Sequence, residues 1–204
     1  MIRRILLAAL LATAAAAASA ATTRYTLDPN HTQVLFTYTH FGYSHQTGQF
    51  DGVTGTLDYD AADPARSSVR VTIPMDQVNT HVPALDKHLE SPDFFDAAKY
   101  PTATFVSTKV ERGADADTLK VTGDLALHGV TRPVVLDVRL NKDGEHPLWK
   151  APALGFDATA TLSRSDFGVK LYVPAVSDAV QLRITTEAIE SRAYEAKTQA
   201  KASK

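Results

Sequence analysis

From residue 31 onwards, apolar and polar side chains alternate with a period of two over most of the chain. In HTQVLFTYTHF, Val34, Phe36, Tyr38 and His40 fall on one face, and Gln33, Thr37 and Thr39 fall on the other. The same beat recurs at Leu57 and Tyr59, at Val69, Val71 and Ile73, and at Leu119, Val121, Leu125 and Leu127. It continues at Val134, Leu136, Val138 and Leu140, then from Leu154 through Phe156, Ala158 and Ala160 to Leu162, and last at Val180, Leu182, Ile184 and Thr186. Side chains on a pleated strand project alternately to opposite faces, so this pattern predicts half-buried antiparallel strands.

Turn signals separate the runs at Asp63-Pro64, Arg112-Gly113, Gly129, Asp143-Gly144 and Asp166 to Gly168. A meander of about eight to ten strands with no βαβ alternation must hide its edges, and closing into a barrel does so. The fold class predicted is therefore all-β, an antiparallel barrel, with a sandwich as the alternative. Small inward residues (Gly123, Ala158, Ala160) beside large ones fit either a filled, tapering interior or a small-ligand cavity of lipocalin type.

One stretch, near residues 82–99, breaks the period. Val82 to Leu89 places Leu85 and Leu89 four apart on one helical face. Ser91-Pro92-Asp93 reads as a helix start, with serine as cap and proline in the first turn, and Pro101 stops its continuation. A short helical insertion covering one barrel end is expected, with Phe94, Phe95, Tyr100 and Phe105 as an aromatic plug.

The ends differ in composition from the middle. Residues 1–20 carry Arg3 and Arg4, an apolar run to Ala18, and Ala18 and Ala20 in A-x-A spacing, the anatomy of a cleaved export signal. Residues 21–190 form the expected single domain, and residues 191–204 a polar, alanine-rich tail read as frayed helix or disorder. The chain has no cysteine, so stability must come from the core, and a lipidated cysteine at the cleavage site is excluded. A net charge of −2 argues against nucleic acid and anionic surfaces as electrostatic partners.

Four segments carry a resemblance: YTLDPNHTQVLFTYTHFGYS with GQFDGVTGTLDYD, VNTHVPALDKHLESPDFFDAAKYPTATFVST, LKVTGDLALHGVTRPVVL, and LSRSDFGV. In this order over residues 24 to 190, they resemble the YceI-like family of secreted bacterial proteins. The resemblance implies a lipocalin-like barrel that holds a long polyisoprenoid or similar amphiphile in an apolar tunnel and performs no chemistry. With the export signal and no cysteine to lipidate, the protein is expected to be soluble and periplasmic, with no cofactor beyond the bound lipid and no stable membrane insertion, and a homodimer stays open. Thr32 stands where many relatives have serine, and the charged tail lies outside the family pattern.

Parity nominates Phe36, Tyr38, Leu57, Phe156, Leu182 and Ile184 as ligand-lining residues, with His40, Phe94 and Phe95 near one end. His40 is either a satisfied rim residue or a donor to a ligand head. The seven histidines show none of the local spacings that hold zinc, so no metal site is expected. Asp86 and His88 resemble a general-base pair, yet on a helix the i and i+2 positions diverge. No catalytic residue is assigned. Asp86 is expected to pair with Arg164 and pin the insertion to the barrel. Two alternatives stay open: an enzyme acting on a small amphiphile through Asp86, His88 or His40, and a filled barrel without ligand.

Overall fold

The computed structural model describes residues 22–202; the expected leader, residues 1–20, lies outside them. Eleven strands follow in the order β1 (Thr23–Leu27), β2 (Gln33–His40), β3 (Ser44–Phe50), β4 (Thr54–Tyr59), β5 (Ser68–Pro74), β6 (Val78–Asn79), β7 (Thr102–Arg112), β8 (Thr118–Leu127), β9 (Val130–His146), β10 (Ala151–Ser163) and β11 (Ala179–Glu190). Helix α1 (Pro83–Glu90) precedes β7 and helix α2 (Ser191–Ala202) follows β11.

All pairings are antiparallel. The ring β1-β4-β5-β7-β8-β9-β10-β11 closes back on β1 through Tyr25 opposite Glu190. Strand β11 is long enough to pair twice: Leu182 faces Phe36 of β2, and Ala188 faces Leu27 of β1. Strands β1 and β2 thus run end to end as one broken stave. β3 and β4 do the same, since β3 pairs with β2 and β4 with β1. The architecture is an eight-staved antiparallel barrel of lipocalin-like form.

The break between β1 and β2 is built by the DPNHT turn. Asp28, only 2% exposed, accepts the Asn30 amide at 3.1 Å and pairs with His31 Nδ1 at 2.8 Å. The Thr32 hydroxyl donates to the Asp28 carbonyl at 2.8 Å. Burial pushes the Asp28 carboxyl up, but hydrogen bonds from His31 and Asn30 outweigh it and hold the group below its ordinary value. The same hydrogen bond to Asp28 raises His31.

Two expectations need correction, strand β7 is an addition to the expected set, and the tail takes the helical of its two expected states. The Ser91–Lys99 segment forms turns rather than a helix, because the Ser91 hydroxyl donates back to the His88 carbonyl at 2.6 Å and Asp96 adopts left-handed φ. The predicted break at Asp143-Gly144 lies inside β9, and the hairpin turns instead at residues 147–150, where the His146 ring accepts the Leu148 and Trp149 amides at 3.2 Å. Strand β7 went unread because a bulge between Ser107 and Lys109 moves its inward set from Ala103 and Phe105 to Val110. The tail is helical and docked at its first turn: Tyr194 stacks on Trp149 with ring centroids 5.2 Å apart, and Ala193 packs beside Ala151, Ala153 and Ile189.

Candidate functional site

The inward residues do not fill the barrel. An upper cavity of about 160 Å³ is walled by aliphatic and aromatic side chains of β2, β4, β5, β8, β9, β10 and β11, among them Val34, Leu57, Val71, Val121, Phe156 and Ile184. A lower cavity of about 200 Å³ lies against α1 and the turns after it. It is lined by Phe36, Tyr38, Leu85, Phe94, Phe95, Val180 and others. Leu182 contributes to the walls of both. A cavity lined by apolar groups stays dry and takes apolar guests.

Close packing shapes the lower walls. Phe36 stacks on Tyr38 at 6.3 Å and tilts against Phe50 at 5.4 Å. Its ring lies over the cross-strand partner Gly48, where an added Cβ would sit 2.4 Å from the ring, so only glycine admits the arrangement. Phe95 meets Phe50 at 5.6 Å and carries the insertion onto the barrel.

The lower cavity has histidine and arginine side chains in its border, and the upper one has hydroxyl side chains such as Thr32, Ser67 and Thr186 instead. Tyr38, His40, His88 and Arg164 border that cavity. Burial raises the Tyr38 phenol, with the field of Arg164 opposing it. His40 is exposed and meets Phe41 edge-on at 4.6 Å. His88 packs edge-on against Phe94 at 4.9 Å.

All nine positions nominated as ligand-lining border a cavity: Leu57, Phe156 and Ile184 the upper one, Phe36, Tyr38, His40, Phe94 and Phe95 the lower one, and Leu182 both. The expected Asp86–Arg164 pair does not form. Asp86 accepts the Thr80 amide at 2.7 Å and the Thr80 hydroxyl at 2.5 Å, which ties the first turns of α1 to the chain preceding them. Arg164 donates to four backbone carbonyls instead, those of Val169, Leu171, Val176 and Ser177, at 2.9–3.1 Å. It is the peg around which the 168–177 loop is wound, and no pattern of side chains advertises such a role. Phe167, 2% exposed, enters the interior beside Leu182 from the turn after Arg164 and was missed because SRSDFG reads as a loop. Among the described residues no group of three or more His, Asp or Glu side chains is placed to hold a metal ion.

An eight-staved antiparallel barrel with two cavities inside places the chain among the small closed β-barrels of lipocalin-like form. The model of the YceI-like domain matches residues 25–188, and the chain belongs to that family. It is 41% identical to the Protein YceI of Escherichia coli over 162 residues, which cover 79% of this chain and 83% of that one. Among solved structures it is similar to BcnA of Burkholderia cenocepacia, with TM-score 0.71, 24% identity and coverage of 79% and 98% of the two chains. It also shares its fold with a polyisoprenoid binding domain from Saccharophagus degradans, with TM-score 0.60, 18% identity and coverage of 81% and 98%.

Proposed function

We propose that this protein binds a long apolar amphiphile, a polyisoprenoid, an isoprenoid quinone or a related lipid, inside the barrel and carries or sequesters it without chemical change. The observation that carries the reading is the pair of apolar cavities inside the barrel that share Leu182 as a wall residue. The chain of the lipid occupies the upper compartment and passes Leu182, and the head lies at the lower end beside Tyr38, His40 and Arg164. Desolvation supplies the affinity, at about 0.8 kcal/mol for each methylene buried. The resemblance to a polyisoprenoid-binding fold supports the ligand class, and the leader at residues 1–20 supports a periplasmic site of action.

An enzymatic reading through Asp86 and His88 has little geometry behind it, since the Asp86 carboxylate is engaged by the Thr80 amide and hydroxyl. Organic extraction of natively purified protein, followed by mass spectrometry, tests the proposal. A long-chain lipid is expected at about one per barrel; nothing extracted, from protein that also fails to retain an added polyprenol, would sink it. Sedimentation of the same sample decides between monomer and homodimer.

A further inference from the structure

The lower end carries large aromatic side chains exposed to solvent, of which Tyr172 also borders the cavity. Among the described residues six large apolar side chains are about half exposed or more, and three of them belong to this end: Phe41 at 50%, Tyr43 at 93% and Tyr172 at 52%. They sit on two loops stitched together around the cavity mouth. The Phe41 amide donates to the Ala175 carbonyl at 2.8 Å, the Ser177 amide to the Thr39 carbonyl at 2.9 Å, and His40 bridges Val176. His40, Tyr172 and Val176 all border the lower cavity.

The backbone makes these aromatics conspicuous. Phe41 and Gly42 have φ of 50° and 74°, with the Tyr43 amide bonded to the His40 carbonyl, a tight hairpin turn with two left-handed residues. Asparagine followed by glycine serves that turn best, and phenylalanine serves it poorly. Tyr172 is likewise left-handed, at φ 63°. Two bulky rings thus occupy positions where a small polar residue would give the more stable loop, the signature of a residue kept for contact rather than for folding. The rim also differs in charge from the acidic whole. Residues 41–43 and 168–177 bear Lys170 and no carboxylate; Asp166 and Asp178 flank the second loop, and Asp178 accepts bonds from the Ser165 amide and hydroxyl at 2.8 and 2.7 Å.

We infer that the rim formed by Phe41, Tyr43 and Tyr172 docks into the headgroup region of a phospholipid bilayer, so that a lipid passes between bilayer and barrel without crossing water. Tyrosine rings with a polar tip settle at that depth, and two loops that hold Lys170 and no carboxylate tolerate phosphate headgroups. The contact proposed is peripheral; no helix among the described residues is long and apolar enough to cross a membrane. A bilayer suits the rim better than a protein partner because the loops that carry the aromatics border an apolar cavity through His40, Tyr172 and Val176. The reason for docking rests on the lipid-carrier reading; the geometry of the rim does not.

Trp149 lies at the far end of β10, so the two barrel ends can be watched separately. Tyr43→Trp in a Trp149→Phe background puts the one indole on the rim. With vesicles of phosphatidylethanolamine and phosphatidylglycerol its emission should shift to the blue, while Trp149 in the unmodified protein stays unmoved. Phe41→Asn with Tyr43→Ser, neither of which lines a cavity, should weaken partition on the order of tenfold or more while preserving or raising Tm. Docking is overturned by the absence of any shift, by undiminished partition of the double variant, or by a shift that needs no vesicles and grows with protein concentration, which marks a second copy. Extraction of the same preparations separates the two ideas. Bound lipid without partition overturns the rim and leaves the carrier reading intact; partition without bound or retained lipid does the reverse.

Discussion

Replacing Leu182 by tryptophan places a plug at the one side chain that walls both cavities. A chain that reaches the upper compartment loses that compartment, whose volume is about 160 Å³. Empty apolar volume costs about 24 cal/mol per Å³, so the forfeited filling is worth about 4 kcal/mol, or roughly a thousandfold in Kd. A short ligand confined to the lower cavity loses little. The assay compares geraniol with a long polyprenol by competition at equilibrium, for the wild type and Leu182→Trp. The expected result is weakening confined to the long ligand, with an overpacking cost of about 1–3 kcal/mol in unfolding free energy. Leu182→Ala serves as control, because it widens the junction and should keep long-chain binding despite a lower Tm. Equal weakening of both ligands, or of neither, would refute the idea of one chain threading two compartments.

Other outcomes follow from the lower end and the DPNHT turn. Arg164→Gln strips charge-assisted bonds from the 168–177 loop and should cost about 3 kcal/mol in denaturant unfolding, whereas Asp86→Asn should cost about 1 kcal/mol. The double variant should be additive to within about 0.5 kcal/mol, and a larger coupling would restore the pairing that the structure denies. Gly48→Ala drives a Cβ into the Phe36 ring and should cost about 1–3 kcal/mol while weakening ligand retention, which thermal unfolding and extraction together would show. His31 is raised by its bond to Asp28, so the stabilisation is complete below its ordinary value, about 6.5, and is lost as pH rises through the higher folded value. Because the imidazole is largely exposed, the loss should be well under about 1 kcal/mol. Calorimetry should show Tm falling from pH 6 to 8 in the wild type and level in His31→Asn. Asp28 works in the opposite sense, and its contribution disappears on acidification through its lowered folded value.

Period two was enough to read most staves and the inward face, because parity on a strand translates directly into position: Phe36, Leu57, Phe156, Leu182 and Ile184 all border a cavity. It failed where a stave is irregular. The bulge in β7 resets parity halfway, and the continuation of β9 past Gly144 depends on the His146 ring holding a turn further on. It failed again where partners are backbone atoms, as at Arg164, since carbonyls leave no trace in the order of side chains. The exposed rim was out of reach for another reason: Phe41 and Tyr43 lie in a turn, where alternation says nothing about direction.

The broken staves divide the barrel into halves of unequal strength. The upper ring is hydrogen-bonded all the way round, whereas the lower sheet ends at β6, joined to β3 through only Gln49–Asn79 and Phe50–Val78, and α1 with its following turns stands in for the missing ladder. A wall held by side-chain packing can swing out as a unit without unzipping the ring. Backbone amides of residues 80–100 should therefore exchange with deuterium ahead of those in β8 to β10, and a bound lipid should slow the first group alone. On that arrangement the lifetime of the loaded state is set by opening of the insertion, and global stability can be raised without lengthening it.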